Sequence, residues 1–223
     1  NKELNEEKVI ATVVSLMERT YIRIGSNDYE KMYGSYGLTT LKDKHVKVEG
    51  DKIVFSFKGK KGVYHDIPLK NRKLAKLVKA CRDIPGKELF QYYAPDGTRK
   101  SVDSGMVNRY IKEATDADFS AKDFRTWAGT LNILRAFKAM GAGATETDVK
   151  KNVVAALDEV SKKLGNTRTV CKKYYVHPGI IRLYEENSLG KYLKELDKIE
   201  EPDNMGGHTS EERVLMKILK ELV

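Results

Sequence analysis

Residues 5–20, "NEEKVIATVVSLMERT", place apolar side chains at Val9, Val13, Leu16 and Met17, a spacing that puts them on one face of a helix. The pattern then changes. "HVKVEGDKIVFSFKGKKGVYHDI", residues 45–67, is rich in β-branched and aromatic residues and is punctuated at Gly50-Asp51 and at Gly59 to Gly62, which predicts three short strands. Beyond Pro68 the period is helical, with Leu74, Leu77, Val78 and Cys81 on one face. A loop is expected at "YYAPDGTRKS", followed by a helix near 102–116. Ser120 is a cap for a long helix whose core face includes Phe124, Trp127, Leu131, Leu134 and Phe137. Residues 147–164 predict another helix, stopped by Gly165, and short helical pieces flank Pro178. "HTSEERVLMKILKELV" predicts a C-terminal helix with a start signal at Ser210. The expected fold class is α+β and mostly helical, with a small three-stranded antiparallel sheet near the front of a helical body.

The length of 223 residues suits one good core, or a main domain with a small appendage. No apolar run approaches the roughly 18 residues of a membrane span. The opening "NKELNEEKVI" has neither a basic n-region nor an apolar h-region, and its first residue is Asn, as expected of a chain with residues upstream. Cys81 and Cys171 stand far apart and the four histidines form no ligand spacing, so reduced thiols, no zinc site and a cytoplasmic address are expected. The net charge of +9 is unevenly divided. Residues 195–223 hold eight acids and four bases, a net of −4, which leaves +13 on residues 1–194. Such asymmetry favours a polyanionic partner, nucleic acid first, although composition alone leaves a merely solvated basic surface open.

Taken singly, the polar candidates read as structural. Arg23 in "YIRIGSNDY" is a surface arginine, Lys60 and Lys61 in "GKKG" decorate a turn, and Arg125 in "KDFRTW" lies in a helix explained by its apolar face. Tyr174 and Tyr175 in "LGNTRTVCKKYYVHP" are rim aromatics on the same reading. Their order is more specific. An arginine, a lysine on a hairpin turn, Lys-x-x-Arg on a helix, Leu-Gly-Asn, and a tyrosine nine residues after that Asn resemble the type IB DNA topoisomerases, most closely the compact poxvirus-like and bacterial branch. The resemblance covers residues 21–187 and also includes "YGLTTLKDKHVKV" and "AKDFRTWAGT".

The resemblance implies the fold shared by topoisomerase IB and tyrosine recombinase catalytic domains, and a role for each matching residue. Tyr175 occupies the nucleophile position and Tyr174 a variable one. Arg23 and Arg125 match the arginines on the scissile phosphate, and Lys60 the lysine that protonates the leaving 5′-oxygen. Asn166 falls where many members have His, and an amide can donate a hydrogen bond but cannot exchange a proton. Lys122, Tyr29 and Lys61 match positions near the DNA backbone or beside the acid. His177 reads as structural or phosphate-contacting.

The implied reaction is relaxation of supercoiled duplex DNA by one-strand cleavage and religation through a 3′-phosphotyrosine, which stores the bond energy so that no ATP is required. Tyrosine phenols are almost wholly protonated near neutral pH, with a reference pKa of about 10. Two guanidiniums on the non-bridging oxygens can carry the transition-state charge without a metal, and a lysine crowded by a second cation is a fitting acid for the alkoxide. The expected actor is a monomeric, nucleoid-associated enzyme without cofactor. The expected domains are a catalytic domain, 1–194, and an acidic segment with a terminal helix, 195–223; the family's upstream clamp domain is expected to be missing.

Two alternatives stay open. Tyrosine recombinases share the nine-residue interval, but normally show His-x-x-Arg where this chain has Lys122-Asp-Phe-Arg125, and they assemble by donating a C-terminal helix. The other is a catalytically silent DNA-binding domain that merely retains the fold, against which stand the expected functional groups, all present with only the His/Asn difference at Asn166.

Overall fold

The computed structural model describes residues 4–197, 199 and 208–222. They form two compact units, Asn1–Phe124 and Arg125–Val223. Part of the acidic segment, residues 200–207, lies outside the described residues.

In the first unit, α1 (Glu6–Thr20) is capped by Asn5, whose side chain accepts the Lys8 N–H, and it buries Val9, Val13, Leu16 and Met17 as the periodicity predicts. β1 (Val46–Glu49), β2 (Lys52–Lys58) and β3 (Tyr64–Lys70) form the expected antiparallel sheet in the order β1-β2-β3. Its register pairs Val46 with Phe55 and Phe57 with His65. Ile53, Phe55 and Phe57 alternate inward along β2 and pack with α1 and with α3 (Arg72–Arg82), which buries Leu74, Val78 and Cys81 and half-buries Leu77.

Two features of this unit differ from the sequence-based expectation. α2 (Asn27–Tyr33) buries no residue, so it has no apolar period to betray it. The segment read as a loop is a hairpin of β4 (Gln91–Tyr93) and β5 (Arg99–Ser101), strands too short for alternation to show. Its turn is closed by Asp96 Oδ1, which accepts the Thr98 N–H at 2.9 Å. α4 (Ser104–Thr115) follows as predicted, capped by Asp103.

α5 (Ala121–Met140) begins where Ser120 predicts. Asp123 accepts the Ser120 N–H at 2.8 Å and its hydroxyl proton at 2.9 Å. In the second unit it is joined by α6 (Glu146–Leu164), α7 (Arg168–Tyr174), α8 (Pro178–Glu185), the unpredicted α9 (Gly190–Asp197) and α10 (Ser210–Glu221). Leu134, Phe137, Val160, Cys171, Ile180, Leu215 and Ile218 are completely buried and form this unit's core. Trp127 and Phe124 of the expected core face are only half-buried.

The terminal helix is capped by Thr209, not Ser210, because Thr209 and Glu212 form a capping box. α10 packs on its own unit: the Trp127 indole N–H donates to Glu212 at 2.7 Å, Arg135 pairs with Glu211, and Lys217 with Glu195.

Burial raises the Glu212 carboxyl pKa, but the bonds donated by Trp127 and Thr209 outweigh it, and the folded value lies below the usual 4.5. A lowered folded pKa contributes stability that is present above the unfolded value and lost as pH falls through the folded one. Thermal melts of the parent protein should therefore lose this contribution only in the acid window below the ordinary carboxylate range. Glu212→Gln should lower the midpoint at neutral pH and converge with the parent in acid.

Candidate active site

The first unit carries Arg23, Tyr29, Lys60 and Lys61. Arg23 is half-buried in an extended segment beyond α1, fixed by the Leu38 N–H on its carbonyl at 2.9 Å and the Thr39 N–H on the Ile24 carbonyl at 2.8 Å. The two segments lie so close that a Cβ at Gly37 would come within 2.5 Å of the Arg23 carbonyl oxygen. Ser26 then caps α2, which presents an exposed Tyr29. The β2–β3 turn brings the Lys60 ammonium to 5.0 Å from the centre of the Tyr29 ring, a cation–π distance. Thus the predicted acid and the predicted backbone contact are neighbours.

The turn is held on its inner side. His65 stacks on Phe57 at 5.1 Å, and a Cβ at Gly59 would strike the His65 ring at 2.6 Å. The Gly59 N–H donates to the Val63 carbonyl at 2.7 Å. Lys61 takes a left-handed conformation, φ +61°, which leaves both lysines exposed in the turn.

The second unit carries Arg125, Asn166 and Tyr175. Arg125 is only 5% exposed, and its Nη2 donates to the Leu164 carbonyl at 2.6 Å, tying α5 to the last residue of α6. Its guanidinium carbon stands 5.0 Å from the centre of the half-buried Tyr175 ring. Burial lowers the Arg125 pKa, and its hydrogen bond with the Tyr175 hydroxyl acts in the opposite direction. Arginine remains cationic in such surroundings. Lys122, three residues earlier on α5, is exposed.

α6 ends in a Schellman cap. Gly165 is left-handed and the Asn166 N–H reaches back to the Ser161 carbonyl at 2.9 Å. Thr167 immediately caps α7 by accepting the Val170 N–H. Asn166 is pinned between these two caps, with its Nδ2 shielded from solvent. Helix α7 ends at Tyr174, 51% exposed under the Lys173 ammonium, whereas Tyr175 turns back under Arg125. His177 caps α8, its Nδ1 accepting the Gly179 N–H at 3.2 Å.

Cys171, one turn before Tyr175, is fully buried, and burial pushes its thiol up to about 11 despite the Arg125 charge. It is not a competing nucleophile at neutral pH. Among the described residues, no group of three His, Cys, Asp or Glu side chains stands close enough to hold a metal. The sequence reading overlooked Gly129 and Thr130. They lie one turn beyond Arg125, and the Tyr175 backbone rests directly on them. A glycine inside a long helical pattern was the available signal.

A family model described as "Eukaryotic DNA topoisomerase I, catalytic core" matches residues 1–201. The chain is 30% identical over 190 residues to DNA topoisomerase 1B of Acanthamoeba polyphaga mimivirus, covering 82% of this chain and 56% of that protein. It is 26% identical over 179 residues to DNA topoisomerase I of monkeypox virus and to DNA topoisomerase 1B of vaccinia virus (strain Copenhagen), covering 79% of this chain and 54% of each relative. The chain therefore spans about half the length of the curated relatives it matches. These relatives are viral, which supports the poxvirus-like side of the resemblance and lends nothing to the bacterial side.

Proposed function

The chain belongs to the DNA topoisomerase I catalytic-core family, and on that premise we propose that it carries the strand-transfer chemistry of a type IB DNA topoisomerase. The observation that carries this reading is the pairing of a buried arginine with the second of two adjacent tyrosines, Arg125 over Tyr175 at 5.0 Å. In this reading Tyr175 Oη attacks the phosphorus of one DNA strand. The P–O5′ bond breaks, and the phosphate becomes a 3′-phosphotyrosine. Lys60 gives its proton to the departing 5′-oxygen, and Tyr29 orients that lysine through its ring face.

Arg23 and Arg125 donate to the non-bridging oxygens, where charge accumulates in the transition state. Asn166 adds an amide donor to the same oxygens, and Lys122 and Lys61 neutralise neighbouring phosphates. The free 5′-hydroxyl later attacks the phosphotyrosine, re-forming the strand and releasing the phenol. Between the two steps the strand end rotates and supercoils are lost, driven by the elastic energy of the duplex. Supercoiled duplex DNA is thus the preferred substrate, handled by a single protomer in the cytoplasm.

The test is supercoiled plasmid mixed with the full chain at low salt in EDTA without ATP, half of each sample being stopped with SDS. Relaxed topoisomers, and nicked plasmid whose attached peptide maps to Tyr175, are expected. Intact supercoils together with an absence of protein-linked DNA would reduce the chain to a silent DNA-binding fold.

Asn166 makes a separate prediction. Asn166→Ala should slow cleavage by roughly 10²–10³-fold, the scale of one lost oxyanion donor, while Asn166→His should retain activity. Single-turnover rates measured with protein in excess decide it. Equal rates for Asn166→Ala and the parent protein would remove Asn166 from the mechanism.

A further inference from the structure

The backbone of Tyr175 has its own binding site on α5. An added Cβ at Gly129 would lie 2.2 Å from the Tyr175 carbonyl oxygen and 2.9 Å from its carbonyl carbon, so no side chain fits between that helix and the tyrosine's peptide. The next residue, Thr130, is 3% exposed, and its hydroxyl accepts the His177 N–H at 3.1 Å. The same oxygen is 3.4 Å from the Tyr175 carbonyl oxygen and 3.0 Å from that of Thr126, and its one proton is shared between them. On the other side, the Tyr175 and Val176 N–H groups both donate to the Cys171 carbonyl, at 3.0 and 3.2 Å.

We propose that Gly129 and Thr130 are positioning residues for the nucleophile: they seat the Tyr175 peptide on α5 and so hold its phenol at a fixed offset from Arg125, one turn earlier on the same helix. This rests on the proposed strand-transfer function. Tyr175 follows the last residue of a seven-residue helix, where its carbonyl lacks an intrahelical donor, and the short α7 does not fix it alone. A rigid twenty-residue helix that carries both the phosphate-binding arginine and the tyrosine's seat makes their separation a property of one element. The advantage is catalytic, because misplacing a reacting group by about 1 Å can lower a rate roughly 10²-fold. Neither Gly129 nor Thr130 touches the phosphate in this assignment; both act through Tyr175.

The test is a time course of SDS-trapped, protein-linked plasmid with the protein in saturating excess over supercoiled DNA. DNA affinity and the thermal midpoint are measured alongside for Gly129→Ala, Thr130→Val and Thr130→Ser. Gly129→Ala and Thr130→Val are expected to cleave about 10²-fold more slowly at saturation, with affinity unchanged. Thr130→Ser, which keeps the hydroxyl, is expected to recover most of the rate. Should Gly129→Ala fail to fold, the Thr130 pair decides alone.

Parent-like saturating rates in Thr130→Val would overturn the proposal. So would a rate loss that Thr130→Ser does not repair, or one that follows DNA affinity. A parent protein that traps no DNA would instead overturn the strand-transfer function on which the proposal stands.

Discussion

Tyr175→Phe will leave plasmid supercoiled and form no protein-linked DNA under conditions in which the parent protein does both. The substitution removes one oxygen and leaves the ring beneath Arg125, so the fold has little reason to change. What is lost is the atom proposed to form the bond to phosphorus, and no neighbour is placed to replace it. Tyr174 is exposed with its ring under the Lys173 ammonium instead of Arg125, and the Cys171 thiol is buried and protonated. Deleting a covalent nucleophile lowers a rate on the order of 10⁶-fold in the best-studied hydrolases, below what a gel detects. Loss of the hydroxyl's bond with the buried Arg125 should lower stability by about 1–3 kcal/mol. Tyr174→Phe, by contrast, should relax plasmid at the parent rate. If Tyr175→Phe still traps DNA, the attacking tyrosine has been misassigned.

Arg125→Lys should be nearly as damaging, although it conserves charge. Arg125 donates through Nη2 to the Leu164 carbonyl and faces Tyr175 with the same planar group, so one guanidinium braces the end of α6 and, in the proposed mechanism, also meets the phosphate. An ammonium is a compact point donor that cannot fill both positions. Cleavage at saturating protein should fall by roughly 10²–10³-fold, with DNA binding largely kept. Arg125→Ala should go further and destabilise the second unit by about 1–3 kcal/mol, since the buried Leu164 carbonyl loses its donor. Single-turnover cleavage and denaturant unfolding together separate the two effects, and a Lys variant at the parent rate would refute the dual role.

The residues of the proposed chemistry were more legible in the sequence than the frame that holds them. Tyr175 and Arg125 read singly as structural and stand out only through the order and spacing shared with a family, and the structure brings them together in one unit. The sheet and the long helices were legible because apolar residues repeat along them, as Ile53, Phe55 and Phe57 do along β2. α2 escaped because its seven residues bury nothing, although Ser26 before it and Gly34 after it are ordinary cap signals. β4 and β5 have three residues each, too few for a period to register. Gly129 was visible as a glycine inside a strong helical pattern, where it costs about 0.8–1.0 kcal/mol relative to alanine. Its reason is a backbone 46 positions later in the chain, which no local pattern encodes.

The bond between the Trp127 indole and Glu212 gives the molecule an intrinsic optical reporter. Trp127 is the chain's single tryptophan, two residues beyond Arg125, with the His208 ring 6.2 Å away. Its emission therefore reports on one place only, the contact between α5 and the terminal helix. A red shift before global unfolding would signal that α10 has lifted away from α5 near Arg125. Whether DNA loosens or tightens that contact can be followed by fluorescence in the unmodified protein, without a dye or an added cysteine.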